Sequence, residues 1–553
     1  MRVHTVVRTA GCVSAVLLAA SCSSDPPAAP VEHRAAVVAT VPAASGTSET
    51  GRFRPLPIAA GWGPTPAQVD QARRLVGGLT LRQRAGQVIV ASWSGTTAPV
   101  AMVRRLHLGG VIAFSGNVRS TAQIRSVNRS LQASVRKAGR TWPLLVGVDQ
   151  EGGLVQRVTA GATGFPTFMT SGAAGDPDLT RRVYAASGAE LVGLGFNVDF
   201  APDADVTMGP ADPAIGARSA GSAPAAVTAQ VLAALKGFSS AGIMPVVKHF
   251  PGHGSVTTDS HLGLPVQGAS LRALQRRDLV PFAAAVKAGT SSVMVGHLSV
   301  RAVDRRFPSS LSKRVVTGLL RDRMGFGGVS FTDSLVMRAV AERFGSAGAA
   351  VQALRAGQDV LLMPGNPRAA RDGIVRAVRS GRLDQARLDQ AATRVVALML
   401  HQRAMRHATR APGSSAALSQ QYSARATTVV AGPCSGRLVG KAVRVRGPAI
   451  AVARFEDAAR SAGITVRRHG KKAKRATQVV LVGPGQEVKG RPHVVVALDT
   501  PYVLGRSHAR TAEIATYGDT AGAMRALVAV LTGRSTAPGH LPVHVPGADR
   551  AGC

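Results

Sequence analysis

The sequence predicts an α/β protein: a (β/α)8 barrel of the TIM type followed by a smaller α/β sandwich domain. Three observations predict it. Eight short apolar, β-branched runs recur along the chain: QVIVASW from Gln87, GGVIAFS from Gly109, PLLVGVD from Pro143, FNVDFAP from Phe196, IMPVVKHF from Ile243, SSVMVGHL from Ser291, GGVSFTD from Gly327 and DVLLMPG from Asp359. Amphipathic, Ala/Arg-rich stretches such as LTRRVYAASGAELVGLG and SLRALQRRDLVPFAAAVKAG separate them. Polar residues sit at the C-terminal ends of run after run: Asp149, Asp203 and Asp205, Lys248 and His249, His297, Asp333.

Continuous apolar runs belong to strands covered on both faces, as parallel strands between helices are. Eight of them alternating with helices over about 300 residues is the count that closes a barrel. An open doubly wound sheet is the competing arrangement, and it lacks the glycine-rich dinucleotide fingerprint after its first strand. In a barrel the C-terminal strand ends converge on one face, where active sites are built. Any one of those polar residues could be a helix cap or a satisfied core group. Their recurrence at strand ends argues for a site.

The flanking segments follow in order. Residues 1–22 read as a lipoprotein signal peptide, with Arg2 and Arg8 ahead of an apolar run that ends in LAASC. That run is too short to span a bilayer. LAASC is similar to a bacterial lipobox, in which the cysteine, here Cys22, is lipidated. Ala19 departs from it, standing where Leu, Val or Ile is usual, and a plain secretory signal is the alternative. Either address is extracytoplasmic, and the first anchors the protein to the bacterial membrane. Residues 23–65 are rich in Pro, Ala, Ser and Thr without periodicity, which is a tether rather than a fold. The barrel is expected over residues 66–405. The polar, basic segment from Leu400 to about Gln421 reads as a connection. A C-terminal α/β domain is expected over 423–553, from the runs TTVVAG, AIAVARF, TQVVLVGPG and HVVVALDTP and the helical TAGAMRALVAVLTG.

Composition narrows the partners. The 553 residues carry a formal charge of +37, from 67 Lys+Arg against 30 Asp+Glu. Nucleic-acid binding is one reading. Aromatic residues are only 4%, too few for a base-stacking platform, and RRHGKKAKR from Arg467 to Arg475 is the one dense basic cluster. The excess charge is better read as a basic surface facing anionic envelope polymers and lipids, with no nucleic-acid partner. Of four cysteines, Cys12 and Cys22 belong to the signal segment. Cys434 and Cys553 remain, in an oxidising compartment, as a disulfide or as two unrelated thiols.

The stretch VVKHFPGHGSVTTDSH, Val246 to His261, gathers three histidines, a lysine and an aspartate behind an apolar pair. VVKHF reads as a strand end. Pro251, Gly252 and Gly254 forbid a continuing helix, so the rest is a loop over the barrel mouth. His249 and His253 have the HxxxH spacing of some zinc sites. That spacing aligns two rings only on a helix, and no Cys or Glu ligand is near, so no metal is expected.

KHFPGHGSVTTDSHLGLP, GVDQEGGLVQRV (Gly147 to Val158), AIGARS (Ala214 to Ser219) and GGVSFTDSLVM (Gly327 to Met337) together resemble the signatures of glycoside hydrolase family 3, in its β-N-acetylglucosaminidase branch, over about residues 66–405. Two departures stand out: Leu154, where many members carry Arg, and APDADV in place of the more usual APVLDV, which makes Asp203 an extra charge. The resemblance implies that Asp333 is the nucleophile, His261 the acid/base and Asp259 its partner. It implies that Asp149, Arg157, Arg218, Lys248 and His249 bind the sugar; His253 would order the loop and His297 has no assigned role. It further implies a retaining exo-β-N-acetylglucosaminidase, monomeric and free of cofactors, acting on carbohydrate. Its address suggests peptidoglycan-derived fragments with GlcNAc linked to MurNAc. The alternatives are a family 3 β-glucosidase, which would use a carboxylate acid/base and lack the DSH loop, a phosphorylase of the same family, and a non-catalytic envelope-binding lipoprotein, which would lack a nucleophile or acid.

Overall fold

The computed structural model describes Ile58 and residues 61–468 and 475–553, all within the unit Arg52–Cys553. The signal segment with Cys22, nearly all of the tether and the middle of the basic run lie outside the described residues.

Each of the eight apolar runs contains a parallel strand: β1 (Ile89–Ala91), β2 (Gly110–Ala113), β3 (Leu145–Val148), β4 (Val198–Asp199), β5 (Met244–Pro245 and Val247–Phe250), β6 (Ser292–Val295), β7 (Val329–Thr332) and β8 (Leu361–Leu362). All are buried along their length. Neighbours pair in chain order, and the ring closes where Ile89 and Val90 of β1 register with Leu361 and Leu362 of β8. Two joints are single bridges, Asp203 with Lys248 and Phe331 with Val360. Helices separate the strands, among them Thr121–Lys137, Pro177–Gly193, Pro224–Ala241, Arg338–Ala356 and Pro367–Arg379. Several begin on a capping side chain, such as Asp176 accepting from Leu179 N–H and Asn366 accepting from Ala369 N–H. Inside the barrel Phe200 and Phe331 meet edge to face, 5.6 Å between centroids.

The last barrel helix is Gln385–Ala404. The connecting segment is pinned to the barrel: Ala408 N–H donates to Ala241 O, Arg410 N–H to Ala189 O, and Gly413 N–H to the Glu190 carboxylate. The C-terminal domain has six strands: β9 (Thr428–Ala431), β10 (Ala442–Arg446), β11 (Thr465–Val466), β12 (Thr477–Val482), β13 (Val494–Ala497) and β14 (Ala512–Ala515). Their spatial order is β9-β14-β13-β12-β10-β11, parallel except for β9 against β14. Its own core includes Val443, Phe455, Val479, Val494, Ile514 and Leu527.

One expected strand is corrected. AIAVARF opens the helix Ala449–Ser461. Its buried apolar residues are Ala451, Phe455, Ala458 and Ala459, a helical period that a short apolar window hides. Strands β10, β11 and β14, which none of the expected runs contains, complete the sheet. The domain docks on the barrel through Thr167, whose N–H and Oγ1–H both donate to Tyr517 O at 3.1 and 2.8 Å. Cys434 and Cys553 form a disulfide across 119 residues, tying the chain end beside β9.

Candidate active site

The barrel strands end in a cavity of about 730 Å³ on their C-terminal side. Asp149, Arg157, Arg218, Lys248, His249, Asp259, His261 and Asp333 all line it. Residues from β3, the loop after β4, β5 and β7 thus converge, as strand ends of a barrel must.

The floor is an ionic network. Lys248 Nζ lies 3.0 Å from Asp149 Oδ1 and 2.5 Å from Glu151 Oε1. Arg218 meets Glu151 with two parallel hydrogen bonds of 2.8 Å, from Nε and Nη2. Burial opposes ionisation of Glu151, but Arg218 and Lys248 outweigh it and hold the carboxyl well below its usual range. Burial likewise opposes the charge on Lys248, and Asp149 and Glu151 reverse that, raising its affinity for the proton. Glu151 is the functional residue the sequence reading missed. The signal was present: Asp149 and Glu151 are two apart at a strand end, so they face the same side.

His249 is fixed from both nitrogens. Its Nδ1 lies 2.8 Å from Asp205 Oδ2, and its Nε2 lies 3.3 Å from Arg218 Nη2. With Nδ1–H donating and Nε2 accepting, the ring is neutral. Burial and the charge of Arg218 push its pKa down to about 4. His253 is also buried, with Nε2 3.0 Å from Ser260 Oγ. The two rings meet edge to face, 6.0 Å apart, with nitrogens turned to different partners rather than to a common point. Asp203, Asp205 and His249 do offer donor atoms within 4.8 Å of one another. Asp205 is already occupied by His249 and by His253 N–H, and the Arg218 guanidinium stands 3.5 Å from Asp203 Oδ2. The trio is therefore an ion-pair network and a poor cation site.

Asp333 follows β7. Its Oδ1 accepts the Ser334 N–H at 2.7 Å. Burial alone would raise its pKa, but His249, His297, the Ser334 N–H and Lys248 hold it below the usual value, so it is a carboxylate at neutral pH. His297 supports this segment, with Nδ1 2.6 Å from Ser310 Oγ and Nε2 donating to Ser334 O at 3.0 Å. Arg157 stacks over Phe114, 5.3 Å from the ring centroid.

Asp259 and His261 stand on the loop over the mouth. Asp259 Oδ1 accepts the His261 N–H at 2.9 Å and lies 2.8 Å from His261 Nδ1. Burial works against ionisation of Asp259, and the His261 contacts overcome it, lowering its pKa. The His261 side chain is 69% exposed. The loop's glycines divide by role. Gly252 has φ +119, and a Cβ there would lie 2.6 Å from Asp278 Cβ; one on Gly254 would lie 2.5 Å from Val206 O. These two fix the stem by close approach. Only Gly263, with nothing nearer than Thr258 at 3.9 Å, leaves room for movement. The apolar rim includes Val336, 47% exposed, while Leu154 and Leu262 are exposed on the adjoining hairpin and loop.

Barrel and cavity together define a (β/α)8 protein with a charged cavity at the C-terminal ends of its strands. Residues 80–398 match the glycosyl hydrolase family 3 N-terminal domain, and the chain belongs to that family. It is 35% identical over 344 residues to a protein named beta-hexosaminidase A from Pseudoalteromonas piscicida, covering 58% of this chain and 56% of that protein. It is 35% identical over 365 residues to beta-hexosaminidase LpqI of Mycobacterium tuberculosis, covering 64% of this chain and 91% of that one. Among solved structures, a family 3 β-N-acetylglucosaminidase from Paenibacillus sp. str. FPU-7 superposes with a TM-score of 0.77 at 29% identity, covering 85% of this chain and all of that chain.

Proposed function

We propose that this chain is a retaining exo-β-N-acetylglucosaminidase that removes terminal β-linked GlcNAc. The observation that carries the reading is the Asp259–His261 pair on the mouth loop, facing the same cavity as the ionised, buried Asp333. The names of the relatives support it.

In this mechanism Asp333 attacks the anomeric carbon as the glycosidic bond breaks. His261, holding a proton on Nε2 and steadied at Nδ1 by Asp259, gives that proton to the leaving oxygen. A covalent glycosyl-enzyme results. His261 then takes a proton from water, which attacks the anomeric carbon and frees Asp333. Two displacements give retention. Lys248 and Arg218 donate to sugar hydroxyls, Asp149 accepts from them, and Arg157 and His249 complete the grip. The exposed His261 reaches the bond when the outer part of its loop closes over bound sugar, while the stem stays clamped.

We further propose that the substrates are peptidoglycan-derived fragments, and that the protein works as a monomer outside the cytoplasm on a lipid anchor at Cys22. The decisive assay compares an aryl β-N-acetylglucosaminide with an aryl β-glucoside. Release from the first with little from the second is expected, and preference for the glucoside would move the chain to the β-glucosidase reading. Phosphate-dependent release of sugar phosphate would mark a phosphorylase. For the anchor, wild-type protein should enter the detergent phase and Cys22→Ala should not; a wholly soluble wild type would reject lipidation.

A further inference from the structure

Asp203 is the residue at which the sequence departs from the APVLDV pattern, and the structure buries it completely. Its neighbours are titratable on every side: Asp205 on its own segment, Glu151 from the hairpin after β3, Arg218 from the loop after β4, Lys248 and the neutral His249 from β5, and Tyr184 from the helix Pro177–Gly193. Oδ1 accepts the Asp205 N–H at 2.9 Å. Oδ2 has no hydrogen-bond partner; it lies 3.5 Å from Arg218 Nη2 and 3.7 Å from His249 Nδ1. Both of those groups are already engaged, Arg218 by Glu151 and His249 by Asp205.

Two carboxylates this close in a buried site do not both ionise. The hydrogen bonds say which one keeps the charge. Asp205 receives the His249 ring nitrogen, the His249 N–H and the His253 N–H. Asp203 receives one N–H. The negative charge therefore belongs on Asp205 and the proton on Asp203.

We propose that Asp203 is a positioning residue: as a neutral acid it leaves Arg218 on Glu151 and His249 on Asp205, and its ionisation draws both away and so sets an alkaline limit on sugar binding. This rests on the reading that Arg218 and His249 hold the sugar. Burial and the charge of Asp205 raise the Asp203 pKa well above the usual carboxylate value, in keeping with a neutral acid at the working pH. A valine at this position could not titrate, so the limit would be particular to the APDADV form.

The test is the pH profile, from pH 5 to 9, of KM and kcat on an aryl β-N-acetylglucosaminide for wild type, Asp203→Asn and Asp203→Val. For wild type, KM should rise about tenfold towards the alkaline end while kcat changes much less. Burial also raises the Asp205 pKa, to about 7, and that group titrates in all three proteins. The reading is therefore the alkaline rise present in wild type and absent from both variants, which carry no titrating group at 203, and Asp203→Val guards against a local defect peculiar to the amide. A flat wild-type KM, or a rise that persists in both variants, overturns the proposal. So does an Asp203→Asn enzyme whose KM is tenfold worse at every pH, because that would mean the ionised form is needed. Difference infrared spectra of substrate-free protein give a reading independent of activity. The stretch of a protonated carboxylic acid should be present in wild type and lost in Asp203→Asn. If it is and the aryl substrate is not cleaved, the functional reading fails while the assignment of the proton stands.

Discussion

Two buried charge clusters sit at opposite ends of the barrel strands, built from the same chemistry. At the C-terminal end Glu151 binds Arg218 and Lys248, and the network opens into the cavity. At the other end Asp359, just ahead of β8, binds Arg321, Arg387 and Arg394, and all four are sealed. Carbonyls close the second cluster: Arg321 donates to Phe326 O, Gly328 O and Gly357 O, and Arg387 to Leu354 O and Gln358 O. A carboxylate among guanidiniums is therefore no sign of function by itself. What separates the clusters is whether donors remain facing a space that a ligand can fill. A barrel's bottom face serves stability and its top face chemistry, and here both are built on a buried carboxylate held by cations.

The largest expected effect breaks the top face alone. Asp333→Asn cannot form the covalent intermediate, so kcat should fall by about 10⁴-fold with the fold intact. A fluorinated sugar trap should label Asp333 in the wild type by mass spectrometry. Label on any other residue would reassign the nucleophile.

The same conservative change at the bottom should do the reverse. Asp359→Asn leaves buried guanidiniums with no counter-charge, which costs about 3–5 kcal/mol. Denaturant unfolding should show the loss, while kcat and KM of the remaining folded protein stay near wild type. Loss of activity without loss of stability would mean the clusters communicate, and the contrast drawn between them would fail.

The third effect is smaller and depends on substrate. His261→Ala should cost about 10²–10³-fold on a disaccharide, whose leaving group needs a proton. On an aryl glycoside with a good leaving group the loss should be several-fold at most. Asp259→Asn should impair the same step less, since it disturbs the ring's tautomer and orientation rather than removing the ring. Equal losses on both substrates would count against proton donation by His261.

The two clusters also differ in how far the sequence disclosed them. Parallel barrel strands are covered on both faces and so largely apolar, which makes the eight runs stand out and the charged residues at their ends stand out by contrast. That made the top face legible, down to the eight cavity residues named from motifs. Glu151 escaped because it was read as part of a motif and not as a strand-end partner of Asp149. The bottom cluster left no local signal: Arg321, Arg387 and Arg394 lie on Arg-rich helical segments in a chain with 67 Lys+Arg, and nothing near them in sequence marks them as buried. AIAVARF misled for a related reason, since seven residues are too few to separate a strand period from a helical one.

The smallest effect tests the bottom cluster by pH. Burial would raise the Asp359 pKa, but Arg321, Arg394 and Arg387 bring it down to about 2. The folded value lies below the unfolded one, so the carboxylate favours the folded state. That contribution is complete above the ordinary Asp value near pH 4 and is lost as pH falls towards 2. Linkage puts it at roughly 2 kcal/mol. Stability measured by denaturant between pH 5 and 2 should therefore fall less steeply in Asp359→Asn than in wild type, on top of that variant's lower starting point. Parallel slopes would show that Asp359 does not titrate in this window and that the acid sensitivity of the fold belongs elsewhere.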